Sequence, residues 1–243
     1  MNQFKVASLW DGTKLPESEQ VSVAVNVDVL PSKEACLVID VEAPFFNDAK
    51  PASDAPLNLD GLWNYEVVEV FIKGRHDKYI EIEMGPHGHY LILACDGYRQ
   101  CFSRRISPIS YVAKISSDRW TAKMVCPIDL LPPPIEIPGA EYSFNAYSIH
   151  NKPGVTDPQD HNDRVHAAVF VPLKAEGEYE IPDFHKLELF DRFSTSLMSD
   201  AVCPTSLDAS SVWGERRGRF ISMGYVHKDL PLDVGEESPR LRE

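Results

Sequence analysis

Apolar and polar residues alternate along much of this chain with a period of two, the spacing of strands whose successive side chains face opposite ways. The pattern is clearest in VSVAVNVDV (21–29), YEVVEVFI (65–72), KYIEIEM (78–84), HYLILAC (89–95), WTAKMVC (120–126) and EYSFNAYSIH (141–150). Each run is strand-length and rich in β-branched or aromatic residues, and turn-forming residues separate them. FKVASLW (4–10) meets an Asp11-Gly12 turn before the 21–29 run, a hairpin signal, and CLVIDVEAPF (36–45) is stopped by Pro44. Residues 47–61, rich in Pro, Asp and Asn, read as a loop. Short helical turns fit near Pro127–Leu131 and Phe184–Phe190, but no amphipathic helix is long enough to make a layer. The expectation is an all-β protein, an antiparallel β-sandwich with short helical segments. The strand pattern weakens after Phe190, so the expected division is a sandwich over 1–190 and a C-terminal extension over 191–243. The polar tail from about 227 is expected to be flexible.

Parity along each strand separates core from surface. Val68, Val70 and Ile72 share one face with Ile80, Ile82 and Met84, while Glu69, Glu81 and Glu83 take the other. Trp120, Ala122 and Met124 suit the core with Lys123 opposite, and Tyr142, Phe144 and Ala146 pack with Asn145 and Tyr147 pointing away. Side by side, these strands give an outer surface bearing Glu69, Glu81, Glu83, Lys123, Asn145 and Tyr147. A solvated sheet face would carry the same alternation. Three carboxylates on neighbouring strands nevertheless repel unless a cation, a proton or a ligand's hydroxyls offset them. Lys123, or calcium, is the expected counter-charge. Trp63, just before the 65–72 run, is placed to stack on a sugar ring or to cap the core.

Composition narrows the function classes. The chain carries 24 Lys and Arg against 37 Asp and Glu, a net charge of -13 that repels nucleic acid and anionic membrane surfaces. No apolar run approaches membrane-spanning length, and residues 1–13 lack the pattern of a signal peptide, so a cytoplasmic protein is expected. The five cysteines, odd in number and irregular in spacing, suggest reduced thiols, and without a CxxC pair no zinc site is expected. His87-Gly88-His89 invites a metal reading, yet the flanking Pro86 and Gly88 make a turn the simpler one. Asp183-Phe184-His185 looks like an acid–histidine pair, but no nucleophile elbow accompanies it. Glu81 and Glu83 resemble a glycosidase pair, although an open sheet face would raise neither pKa. No catalytic residue is assigned.

GLWNYEVVEVFI (61–72) and YIEIEMGPHGHYLIL (79–93), with APFF (43–46), WTAKMVCP (120–127), FNAYSIH (144–150) and PDFHKLELF (182–190), resemble an uncharacterised protein family. It includes the product of a human chromosome 4 open reading frame. That family is in turn similar to the carbohydrate-binding-module family 9-like, or DOMON-like, β-sandwich group. The resemblance implies a polar sheet face that meets a ligand, with Glu69, Glu81, Glu83 and Asn145 at its acidic and amide positions and Lys123 beside them. It also matches His87, His150 and His185, which are secondary candidates. The expected function is non-catalytic binding of a carbohydrate or other polyhydroxylated molecule. A protein-interaction module and an enzyme of unassigned reaction are the rival classes.

Overall fold

A computed structural model describes residues 2–103, 106–135, 141–155, 163–171, 182–193, 212–213 and 221–222. The strands run β1 Asn2–Val6, β2 Ser8–Leu9, β3 Val21–Val29, β4 Ala35–Pro44, β5 Val67–Lys73, β6 Lys78–Met84 and β7 Tyr90–Asp96. They continue as β8 Gln100–Ser103, β9 Ser110–Ser116, β10 Arg119–Pro127, β11 Tyr142–Asn151, β12 Arg164–Ala168, β13 Asp191–Phe193 and β14 Ile221–Ser222. The protein is a β-sandwich of antiparallel strands. One sheet has the order β1-β3-β4-β10-β9, and the other β14-β8-β7-β6-β5-β11-β12-β2, with β13 also paired to β11. The expected helical segments are single 3-10 turns at Ile128–Leu130 and Leu187–Leu189.

Parity predicts the inner faces correctly. Val68, Val70, Ile72, Ile80, Ile82, Met84, Phe144 and Ala146 of one sheet meet Val23, Val25, Leu37, Ile39, Trp120 and Met124 of the other. Phe4 stacks on Phe144 with ring centres 4.0 Å apart, tying β1 to the facing sheet. In the first sheet β3 and β10 alternate buried and exposed, the signature of one solvated face. In the second sheet β5, β6 and β11 are buried along almost their whole length, so both faces are covered.

A second apolar cluster provides that cover. Phe71, Tyr79, Leu91, Leu93, Tyr147 and Ile149 point away from the sandwich core and pack with Leu62, Phe184 and Phe190. The turn Leu62–Asn64 leads into β5, and the segment 182–190 lies across β5, β6 and β11 as a strap. Phe184 stacks on Tyr147 at 3.8 Å, almost parallel, which anchors the strap. The outer face of this sheet is therefore a second core and not the solvated surface expected from alternation.

Two further expectations change. Cys95 and Cys101 form a disulfide between β7 and β8, against the reading of all thiols as reduced. Their spacing of six residues spans a tight hairpin that sets them directly opposite, a pairing the linear spacing alone did not suggest. Cys36 and Cys126 are buried free thiols, and Cys203 lies outside the described residues. The boundary expected at Phe190 does not coincide with an end of packing. β13 pairs with β11, and Trp213 is buried against the core, its indole N–H donating to the Leu130 carbonyl at 3.0 Å. The tail from about 227 lies outside the described residues.

Candidate functional site

The register of three strands builds the site. Glu69 on β5 stands opposite Glu83 on β6 and opposite Tyr147 on β11. Phe71, two residues along β5, stands between Glu81 and Asn145. All five side chains of this polar set share one face of the second sheet because strand side chains alternate. Five of the residues expected together are thus neighbours: Glu69, Glu81, Glu83, Asn145 and Tyr147. Lys123 is not among them. It lies on β10 in the other sheet, more than half exposed, and pairs with Asp40 at 3.5 Å. Parity fixes which side of its own strand a residue takes, and gives no information about which sheet that strand joins. Lys123 is therefore not the counter-charge of the acidic cluster.

The three carboxylates are crowded and dry. Each offers an oxygen within 4.8 Å of the others, and exposure is 2% for Glu69, 4% for Glu81 and 0% for Glu83. Like charges directly opposite in a sheet repel, and burial removes the water that would screen them. Burial first, then Glu81, holds Glu69 well above the usual carboxylate range. Burial first, then Glu69 and Glu81, does the same for Glu83. No described N–H or hydroxyl donates to Glu83, whose hydrogen-bond contact is with the Glu81 carboxyl. Glu83 and Glu81 are both acceptors when ionised, so only a proton or a cation can join them. An open face is thus no ground for setting aside carboxyl chemistry at Glu81 and Glu83.

The strap adds groups at the edge of the cluster. His185, 5% exposed, reaches the Tyr79 hydroxyl through Nδ1 at 2.8 Å, and its Nε2 stands 3.8 Å from Glu81 Oε2. Burial and then the Arg99 guanidinium push its pKa down to about 3, so the ring is neutral at ordinary pH. Tyr79 also accepts the backbone N–H of Arg99 at 3.1 Å. Arg99 pairs with Asp183 at 2.9 Å, and the Tyr98 hydroxyl donates to the same carboxylate at 2.8 Å, clasping the strap's first turn. Burial pushes the Asp183 carboxyl up, but Tyr98 and Arg99 together hold it below its usual value. Sequence reading flagged Asp183 and His185 as a pair but missed Tyr79, Tyr98 and Arg99. Their signal is three-dimensional, because Tyr79 and His185 are 106 residues apart.

Asn145 and Tyr147 serve the fold. The Asn145 amide donates to the Tyr147 hydroxyl and the Phe170 carbonyl, and its oxygen accepts from Ala146 and Phe170 N–H groups. The Tyr147 hydroxyl passes the chain on to the Phe184 carbonyl at 3.2 Å. Trp63 is half-buried at the margin of the second apolar cluster. Of the three expected histidines only His185 meets the carboxylates. His150 stacks on Phe46 at 3.5 Å, and His87 meets the edge of Phe45 at 5.9 Å. His87-Gly88-His89 is a hairpin turn, with Gly88 at φ 87°.

No family model matches the chain. A mouse protein, "UPF0462 protein C4orf33 homolog", is 32% identical over 195 residues, covering 79% of this chain and 90% of that protein. The chain belongs to the UPF0462 C4orf33 family. The zebrafish member is 32% identical over 84% of the chain and 95% of its own length, and the human member 30% identical over 79% and 87%. Among solved structures, a putative carbohydrate-binding protein from Bacteroides uniformis is similar with a TM-score of 0.48 at 13% identity, covering 79% of this chain and 85% of that one. A family 9 carbohydrate-binding module from Caldicellulosiruptor kristjanssonii, solved with glucose, gives a TM-score of 0.34 at 11% identity, covering 67% and 80%.

Proposed function

We propose that this UPF0462 member is a non-catalytic binding protein whose ligand engages the carboxylates enclosed between the second sheet and the strap 182–190. One observation carries the reading: Glu83 is fully buried beside two other carboxylates, and no described N–H or hydroxyl donates to it. Burying an uncompensated carboxylate costs several kcal/mol, so an arrangement that keeps three together is better explained by a ligand than by stability. The EVF and YxExE strands, through their resemblance to carbohydrate-binding sandwiches, support a polyhydroxylated ligand. Sugar hydroxyls are donors suited to a carboxylate-rich face, and Trp63 supplies an aromatic surface at the margin. Lys123 has no part in this binding.

The test is a screen of mono- and oligosaccharides against the full chain by ligand-observed NMR, repeated with Glu81→Gln and Trp63→Ala. Glu81→Gln is expected to weaken a bound sugar by about tenfold or more while the melting temperature holds or rises. Lower stability with unchanged sugar binding, or no sugar bound at millimolar concentration, would overturn the reading.

A further inference from the structure

We infer that Glu69, Glu81 and Glu83, with His185 at their edge, form a binding site for one oxygen-preferring divalent cation. The inference rests on the reading above for its location alone and names a different ligand. Its first ground is spacing. One oxygen from each carboxylate lies within 4.8 Å of the other two. Oxygens that ring one calcium ion at about 2.3–2.6 Å stand no more than about 4.6–5.2 Å apart, so the three carboxylates can share one ion. Three carboxylates, each able to bind through both oxygens, supply up to about six donor atoms, the number that calcium and manganese accept.

The second ground comes from a different part of the chain. His185 belongs to the strap, is 5% exposed, and points Nε2 at the cluster, 3.8 Å from Glu81 Oε2 and beyond hydrogen-bond length. Its other nitrogen is fixed by the Tyr79 hydroxyl at 2.8 Å, and Tyr79 is itself held by the Arg99 backbone. When Nδ1 donates its proton to the Tyr79 hydroxyl, Nε2 keeps the lone pair that a cation needs, the arrangement by which proteins orient a metal-binding histidine. The third ground is charge. The charges acting on Glu83, those of Glu69, Glu81 and Asp60, all share its sign. A single divalent cation answers all three grounds at once. It offsets the mutual repulsion and satisfies the Glu83 oxygens, with His185 Nε2 facing it from the strap. The donor set, rich in oxygen with one imidazole, selects calcium and manganese over zinc.

The experiment uses the full chain, stripped with chelator and titrated separately with calcium, manganese and zinc by calorimetry, with manganese binding also read by paramagnetic resonance. One calcium or manganese ion per chain is expected, with affinity at least about tenfold weaker in Glu83→Gln and unchanged in Lys123→Ala. His185→Ala is expected to weaken manganese more than calcium, because imidazole is a poor calcium ligand. Should Glu83→Gln fail to fold, Glu69→Gln takes its place. Absence of saturable binding to the wild-type chain at millimolar ion would overturn the inference, as would binding that survives both Glu variants. Sugars binding to the ion-free chain, with no ion bound, would sink the cation site and leave the proposed function standing. An ion bound without any sugar would do the reverse.

Discussion

Two sheet faces of this protein carry the same alternation and have opposite fates. On β10, Thr121, Lys123 and their neighbours turn to water, and Lys123 meets Asp40 as an exposed pair. On β6, Glu81 and Glu83 turn the same way from their own core and end in a dry interior. The difference lies in what the chain lays over each face. The strap 182–190 brings Phe184, His185 and Phe190 across the second sheet. An exposed ion pair such as Lys123–Asp40 contributes about 0–1 kcal/mol, whereas crowded buried carboxylates cost several. The first face is a surface, and the second holds crowded carboxyls whose charge Arg164 and Arg99 offset only in part at Glu69.

The largest effect should separate the two faces by apolar truncation. Phe71→Ala, inside the second cluster, is expected to cost about 3–5 kcal/mol in denaturant unfolding. Val112→Ala, 65% exposed on the first sheet, should change stability by no more than about 0.5 kcal/mol. Similar small costs for both would mean that the strap does not bury the second face.

The next effect is pH dependence at the margin of the buried region. Glu66, 5% exposed, accepts the backbone N–H groups of Phe46 and Asp48, and burial raises its pKa to about 7. A carboxyl raised in the folded state contributes stability that is complete below its unfolded value, near 4.5, and lost as pH climbs through 7. Between pH 4.5 and 8 the wild type should therefore lose about 1–3 kcal/mol relative to Glu66→Gln. His87 and His89 line the same crevice in both proteins, and the nearby Asp48 charge adds to the rise at Glu66. A flat difference would place Glu66 in water.

Legibility in the sequence followed the same division. Strand positions, inner-face residues and the single-turn helices were readable, because period-two patterning depends on local chemistry alone. The convergence of Glu69, Glu81 and Glu83 was readable for that reason too, since β5 and β6 are a hairpin with a short turn. Lys123 was misplaced because parity carries no information about sheet membership. The cover over the carboxylates was missed because Tyr147–Phe184 and Tyr79–His185 are contacts between distant segments, and 184–190 reads from its own residues only as a short helical turn. PDFHKLELF did hold one usable sign, the apolar positions Phe184, Leu187 and Phe190 in a segment too short for a helix.

Smaller effects sharpen the electrostatic contrast. In chelator-treated protein at pH 8, Glu83→Gln should raise stability by about 1–2 kcal/mol through relief of repulsion. Lys123→Gln, which removes only the exposed pair with Asp40, should stay within about 0.5 kcal/mol. A destabilised Glu83→Gln would mean that the carboxylate is already compensated within the chain.

The most direct measurement is the protonation of the glutamate side chains, followed by carboxyl-carbon NMR with the ion-free protein and again with calcium. Burial and mutual repulsion hold Glu69 and Glu83 well above the usual range. These carboxyls should therefore hold their protons to higher pH than a free glutamate when ion-free and release them as calcium binds, with the liberated protons counted by titration. Ordinary carboxylate titration at Glu69 and Glu83, with no proton released on adding calcium, would contradict a buried acidic ligand site.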